Sequence, residues 1–390
     1  MLHGLILFVI SLSIAFAPGS VRGFCIDKHQ MIQSLKHVPG SDENEQAIKK
    51  SFALANDPLS GRVNVLTDPL SLQKAAQDTL RYMKKYAKTH AKLFGSPAFA
   101  NYVISSQKAQ ETLDYLVRII EEDKKTGFFR VCNSAFLNKN FSFHRWIADV
   151  KGAQQDGDYF MMSNKNNFTH ENIGKIRLTH YAIYNFAGSY VKTKKNTHAL
   201  YALTSSVDIP PCSKHEIFEG ALETEPYKNM VKPLVWLPKK AIGEALMQGT
   251  VVATMPDGRN RVFMIHQNNK MRYQKKLKRS GKNKTYWYFR ETSAQAVPSY
   301  IDKFNYRANV VFAGDVKTIG LGKLIAINYA NAVTGKNEVR LGVLADTGGA
   351  FADNLYQLDL FAGMYSSKTA LYFHMKQMPD VTEAYIVSKK

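Results

Sequence analysis

Cysteine is scarce in this chain: Cys25, Cys132 and Cys212 are the three in 390 residues. No C-x-x-C pair or His/Cys ligand set accompanies them, so the sequence gives no support for a metal site, and no cofactor is expected. None of the three stands in the setting of a nucleophile, and structural roles are expected for all. Acidic residues are also few, 32 against 52 Lys+Arg, for a formal net charge of +20. That excess favours a polyanionic partner (nucleic acid, an anionic lipid surface or an acidic cell-wall polymer) without choosing among them. A membrane-spanning run is missing too. The apolar stretch LILFVISLSIAFA, Leu5 to Ala17, is too short for a comfortable span. What is present, 45% hydrophobic and 22% charged residues, is the composition of a folded globular chain.

The short apolar stretch has the length of a signal-peptide core, and Val21-Arg22-Gly23 offers a cleavage site, so residues 1–23 read as a signal peptide. The n-region is poor in positive charge, which leaves a retained membrane association through the N-terminus as the alternative. Lipidation at Cys25 is disfavoured, because VRGFC lacks a small residue just before the cysteine. Export to the periplasm or cell envelope is expected. In that compartment Cys132 and Cys212 are candidates for a disulfide, which sequence alone does not establish.

Two amphipathic helices are expected early. Leu72, Ala76, Leu80, Met83 and Ala87 recur at helical spacing within Ser71 to Gly95. Ala109, Leu113, Leu116 and Ile120 do so within Val103 to Lys125. Beyond about residue 175 short alternating runs separated by Gly, Asn and Pro argue strands. TVVATMPDGRNRVFMIH reads as a hairpin turning at Asp257-Gly258. VVFAGDVKTIGLGKLIAINYA gives two further strands around Ile319-Gly320-Leu321-Gly322. No internal repeat is evident. KMRYQKKLKRSGKNK, Lys270 to Lys284, carries eight basic residues and no acid. Base rates for charge runs favour a solvated loop, and the other reading is an electrostatic handle for a polyanion. With a signal peptide in front and one aromatic inside the run, nucleic acid is not the expected partner.

In GVLADTGGAFADNLYQLDLFAG an aspartate sits in each of two apolar runs. Burying a carboxylate among leucines is costly unless something pairs with it or uses it. Asp315 in VVFAGDVKTIGLG, Asp346 in LADTGGAF and Asp359 in LYQLDLFAG share one pattern: an apolar strand, an aspartate, then a glycine turn or a further apolar run. This pattern resembles the three-aspartate domain, a double-psi β-barrel module. DTGGAF…DLFAG is similar to the form found in membrane-bound lytic murein transglycosylase A, glycoside hydrolase family 102. Upstream, Gly220-Ala221-Leu222, Trp236, Gln248-Gly249 and Pro256-Asp257-Gly258 follow the family's order. LTHYAIYNFAGSY resembles its Thr-Gly-Tyr-Tyr segment. The similarity covers roughly Ile173 to Gly363. Departures are Thr179-His180-Tyr181-Ala182 for Thr-Gly-Tyr-Tyr, Gly249-Thr250-Val251 for Gly-Ser-Gly, and Ala352-Asp353 for Lys-Gly. They are expected in the substrate groove.

The resemblance implies an α+β, β-rich fold. A double-psi β-barrel would be built from 131–190 plus 289–390, with a second β domain inserted at 191–288 and an N-terminal helical region at 24–130. It implies a monomeric lytic transglycosylase that binds peptidoglycan glycan strands. The enzyme would cleave between N-acetylmuramic acid and N-acetylglucosamine to leave 1,6-anhydromuramyl ends. Ordinary glycosidases use two carboxylates. Here the C6 hydroxyl of the same sugar is the nucleophile, so one carboxyl in an apolar setting serves first as acid and then as base. The family places that role at Asp359, beside Leu358, Leu360 and Phe361, with Asp346 supporting it and Asp315 structural. Thr179, Tyr181, Gln248, Gly249, Thr347, Gly348 and Gly349 are the expected substrate-binding residues. The glycines suit a backbone with positive φ or a close sugar approach. Two other classes compete: a non-catalytic cell-wall-binding double-psi barrel, and a secreted polyanion binder whose affinity fades with salt.

Overall fold

Pro69 opens the first of the two expected helices, α1 (Pro69–Tyr86), where its missing N–H costs nothing and its fixed φ is already helical. The Asp68 carboxylate caps it, accepting from the Ser71 N–H at 2.7 Å. Helix α2 (Ser106–Asp123) starts in the same way, with Ser105 Oγ accepting from the Lys108 N–H at 3.0 Å. Both bury the stripe that the spacing marks: Leu72, Ala76, Leu80 and Met83 on α1, and Ala109, Leu113, Leu116 and Ile120 on α2. Buried Gln73 staples the pair, donating to the Val117 carbonyl at 3.1 Å and to Glu121 at 2.8 Å. α1 stops well short of Gly95. The chain turns through the single 3-10 turn Ala91–Leu93, and Gly95 itself has φ +105°. Ala87 is exposed beyond the helix end.

The computed structural model describes residues 41–56, 58–59, 63–155, 174–272, 282–351 and 353–390. The expected signal peptide, Cys25 and positions 273–281 of the basic run lie outside them. Among the described residues no helix is long and apolar enough to cross a membrane.

Strands follow in chain order: β1 (Phe52–Ala55), β2 (Asn64–Val65), β3 (Phe141–Trp146), β4 (Ile176–Ala187), β5 (His198–Leu203), β6 (Val231–Leu237) and β7 (Thr250–Thr254). They continue with β8 (Asn260–Asn268), β9 (Trp287–Glu291), β10 (Val311–Ala313), β11 (Leu324–Ala330), β12 (Asn337–Asp346), β13 (Gln357–Tyr365) and β14 (Val381–Lys389). The architecture is α+β and β-rich. One sheet runs β1-β3-β14-β11-β12-β10-β13-β4-β7-β8-β9, with β2 pairing on β12, while β5 and β6 pair separately. β14 also pairs with β4, so the pairings close a ring through β4, β13, β10, β12, β11 and β14. Long β4 serves three neighbours: Ile176 and Arg177 pair with β14, Arg177–Tyr184 with β13, and Tyr184–Ala187 with β7.

The N-terminal region is not helical alone, since it supplies β1 and β2. FALA is too short to show a strand period, and packing decides its state instead. Phe52 sits 5.1 Å from Phe99 and 5.6 Å from Trp146, ring centroid to centroid. The largest apolar cluster joins α1 and α2 to the ring strands. Two further clusters draw almost wholly on residues between Phe186 and Phe289. The DG hairpin forms as expected, with Gly258 at φ +78° between β7 and β8.

The IGLG turn ties the first-aspartate segment to the helices. Gly320 (φ +91°) lies so near that a Cβ would stand 2.3 Å from the Phe94 carbonyl group. Leu321 N–H donates to Leu93 O at 2.8 Å, and Ser96 N–H donates to Thr318 O at 3.0 Å. Glycine is required at position 320 by both counts. The candidate disulfide does not form. Cys132 and Cys212 are both free thiols; Cys212 is buried in a cluster with Ala199 and Tyr286, and Cys132 contacts the Thr67 carbonyl at 3.7 Å.

Candidate active site

Ala313, on the short strand β10, is the hub. In register it faces Asp346 of β12 on one side and Asp359 of β13 on the other. Asp359 in turn faces Thr179 of β4. Residues in register across neighbouring strands project to one side of a sheet, which aligns Thr179, Asp359 and Ala313. The β10–β12 register shifts between Phe312 and Ala313, and the Tyr181–Asp346 bond puts Asp346 on that same side, so the four form a row. Strand spacing puts the two aspartate Cα atoms roughly 10 Å apart. The sequence separates these residues widely; the pairing order brings them together.

Burial divides the aspartates. Asp315 and Asp346 are each 1% exposed, whereas Asp359 is partly exposed. Asp315 is consumed by its own turn. One oxygen accepts from the N–H groups of Lys317 (3.0 Å) and Thr318 (3.2 Å), and the other from the Thr318 hydroxyl (2.8 Å). Burial pushes its carboxyl up to about 6 despite those bonds, and the nearby Asp353 charge adds to the rise. Asp346 accepts from the Tyr181 hydroxyl at 2.8 Å and from the Thr347 N–H at 2.8 Å. Its pKa is also raised by burial, while the Arg307 guanidinium, Tyr181 and Thr347 pull it back.

The apolar setting of Asp359 differs from the expectation. In a strand, adjacent side chains take opposite faces, so Leu358 and Leu360, both fully buried, point away from the carboxylate. Its neighbours on the same side of β13 are Gln357 and Phe361, the latter with its ring 5.1 Å from that of Tyr181 in a tilted contact. Gln357 Nε2 donates to Thr179 Oγ1 at 2.8 Å, and that hydroxyl approaches the Leu358 carbonyl at 3.4 Å.

The remaining expected residues scatter. Gln248 ends helix α3 (Lys239–Gln248), and its side-chain oxygen accepts from the Ala182 N–H at 3.4 Å, beside Tyr181. Gly249 is buried at φ +77° and terminates α3. Thr347 and Gly348 are partly exposed, and Thr347 Oγ1 donates to the Gly314 carbonyl at 2.8 Å. Gly348 and Gly349 do not take a positive φ, which leaves the second of the two expectations, close approach of a sugar. A Cβ on Gly349 would meet nothing within 4 Å, so open space rather than backbone conformation distinguishes it.

Two of the departures from the family pattern lie off the face of the row or in the interior. His180 faces away from Thr179 and Tyr181, and burial holds its ring neutral, with a pKa near 4. Thr250 and Val251 are buried. The third, Asp353, takes φ +54°, the left-handed region where glycine fits best.

Arg307, the last residue of helix α4 (Val297–Arg307), was not anticipated. It is 1% exposed and donates to the Ala345 carbonyl at 3.3 Å. Nothing in its sequence surroundings marks it. Gln357 was also missed, although its place two residues before Asp359 puts it on the same face by simple alternation.

The chain has the fold of solved lytic murein transglycosylases. It is similar to a membrane-bound lytic murein transglycosylase from Agrobacterium tumefaciens (TM-score 0.54, 14% identity), over 87% of this chain and 98% of that one. It is also similar to E. coli MltA with bound chitohexaose (TM-score 0.52, 14% identity), over 87% of this chain and 94% of that one. No family model matches the sequence, and no curated protein does.

Proposed function

We propose that this protein is a peptidoglycan lytic transglycosylase with Asp359 as its single general acid and base. The observation that carries the assignment is relative exposure: of the three aspartates, only Asp359 is partly exposed, with its Oδ1 buried, while sharing a row with Thr179 and Asp346. A carboxyl locked into its own turn, as Asp315 is, cannot reach a substrate. The fold likeness to lytic murein transglycosylases, one of them holding chitohexaose, supports a β-1,4-linked aminosugar chain as the ligand.

In the proposed reaction the Asp359 carboxylic acid protonates the glycosidic oxygen as the bond from C1 of N-acetylmuramic acid breaks. N-acetylglucosamine leaves with a free O4 hydroxyl. The resulting carboxylate then removes the C6 hydroxyl proton, and O6 bonds to C1 to close the 1,6-anhydro ring. No water is consumed, and Asp359 ends protonated as it began. Intramolecular attack lowers the entropic cost of the second step. Asp346, fixed by Tyr181 and Thr347, holds the β12 end against Gly314 and so keeps the row in register. Thr179, Gln248, Thr347, Gly348 and Gly349 would line the glycan path, with Gly349 leaving room for a sugar ring.

The same reading takes the ring of six strands as the double-psi barrel, formed by 131–190 and 289–390, with 191–288 as the inserted β domain. The enzyme would act as an exported monomer in the cell envelope. Mass spectrometry of murein digested by the purified protein tests the reaction class. Products lighter by one water than hydrolytic muropeptides, without a reducing end, are expected. Reducing-end products would make the enzyme a hydrolase.

A further inference from the structure

Helix α5 (Lys368–Met375) packs Leu371 onto Ala182, Tyr184 and Ala362, and leaves Tyr372 (57%) and Phe373 (62%) in solvent. Two more exposed apolar side chains stand at its ends. At the N-terminal end Lys368 bonds Glu244 at 2.7 Å, and exposed Met247 lies one turn further along α3. At the C-terminal end Gln377 O accepts from the Ala332 N–H at 3.0 Å, which brings up the β11–β12 turn bearing exposed Val333. These four are among twelve exposed large hydrophobics of the described residues. They fall around one short helix, whereas single exposed apolar residues elsewhere need no explanation.

Charge around the strip has one sign. From Leu360 to Pro379 there is no acidic residue, and from Asn331 to Asn337 there is none. Those segments carry Lys336, Lys368, His374 and Lys376. The nearest carboxylates are engaged or at the margin: Glu244 pairs with Lys368, Glu338 is buried and accepts from Asn331 at 2.9 Å, and Asp380 closes the segment.

We propose that Met247, Tyr372, Phe373 and Val333, flanked by Lys336 and Lys376, dock this protein on an anionic phospholipid surface. Apolar and aromatic side chains enter the headgroup boundary while lysines reach the phosphates, and each basic residue near such a surface adds attraction. A glycan strand fits the strip less well. Sugars stack on open ring faces, but the Lys376 ammonium stands over both rings, 5.0 Å from the Tyr372 centroid and 5.5 Å from that of Phe373. Met247 and Val333 offer a sugar no hydrogen bond. The proposal is independent of the catalytic assignment.

The test uses the full-length chain with a tryptophan reporter, Phe373→Trp, and vesicles of brominated phosphatidylcholine with or without phosphatidylglycerol. On anionic vesicles the added indole emission should shift to the blue and be quenched by the bromines. The same reporter at Val207→Trp, on an exposed site outside the strip, should not be. Lys336→Ser with Lys376→Ser should weaken partitioning about tenfold or more. Because the reporter reads depth at the strip, the result does not depend on how residues 1–40 behave. Val333→Trp repeats the test should Phe373→Trp fail to give a wild-type circular dichroism spectrum. An indole that stays unquenched on anionic vesicles at both positions overturns the proposal. So does an indole shielded by isolated murein but not by vesicles, which would make the strip a glycan contact.

Discussion

Tyr181→Phe removes one hydroxyl and leaves the ring packed against Phe361. The lost bond is the 2.8 Å contact to Asp346, a carboxylate that is 1% exposed. Water cannot replace it, so the cost is that of a hydrogen bond to a buried charged group, about 1.5–3 kcal/mol. Arg307 and the Thr347 N–H remain and keep the loss from growing to that of an unpaired buried charge. The sign of the pH dependence follows from the direction of the Asp346 shift. Its folded pKa is raised above the ordinary 3.8, and the Tyr181 bond works against that rise. Removing the hydroxyl lifts the folded pKa further. The variant's deficit is therefore greatest where Asp346 is ionised and shrinks as pH falls through the folded pKa, towards the ~1 kcal/mol of a bond to a neutral acid. Urea unfolding of both proteins at pH 7.5 and at successively lower pH measures this. A penalty below about 0.5 kcal/mol, or one that does not change with pH, would mean that the Tyr181 hydroxyl does not stabilise an ionised Asp346.

Asp315→Asn should flatten a different pH profile. With a folded pKa of about 6 against 3.8, the folded state binds the proton more tightly. Stability is full below about 4 and falls by up to roughly 3 kcal/mol as pH rises through 6. Urea midpoints of the Asn variant should lack that slope, and an unchanged slope would discharge Asp315 from the role. Gly320→Ala should cost about 3 kcal/mol or more, read as a lower Tm, because its Cβ would overlap the Phe94 carbonyl group. Asp353→Gly should change stability by less than about 1 kcal/mol or improve it, since glycine accepts φ +54° without strain. A large loss there would mean that the Asp353 side chain holds the loop.

Much of the fold was legible because its elements are long and periodic. α1 and α2 bury the stripe that their spacing marks, and the strand–turn–strand of β12 and β13 is present as read. The site was legible through the aspartate pattern, but its geometry was not. Sequence neighbours Leu358 and Leu360 suggested an apolar pocket for Asp359, and strand alternation turns both away. Gly249 looked like a groove residue, and it also ends a helix. Arg307 and the row across Ala313 depend on pairing between segments far apart in the chain, which no local pattern encodes. β1 escaped notice for the opposite reason: four residues carry too little period, and aromatic packing on Trp146 fixes their state.

In the proposed mechanism one carboxyl, at Asp359, carries both proton transfers. The most direct measurement is single-turnover cleavage of isolated murein by Asp359→Asn beside the parent, with sacculus binding and circular dichroism measured on the same preparations. Asparagine keeps the shape but neither gives nor takes the proton, so anhydromuramyl release should fall by about two decades or more while binding and fold persist. Release at the parental rate by a folded Asp359→Asn protein would mean that Asp359 carries neither proton transfer.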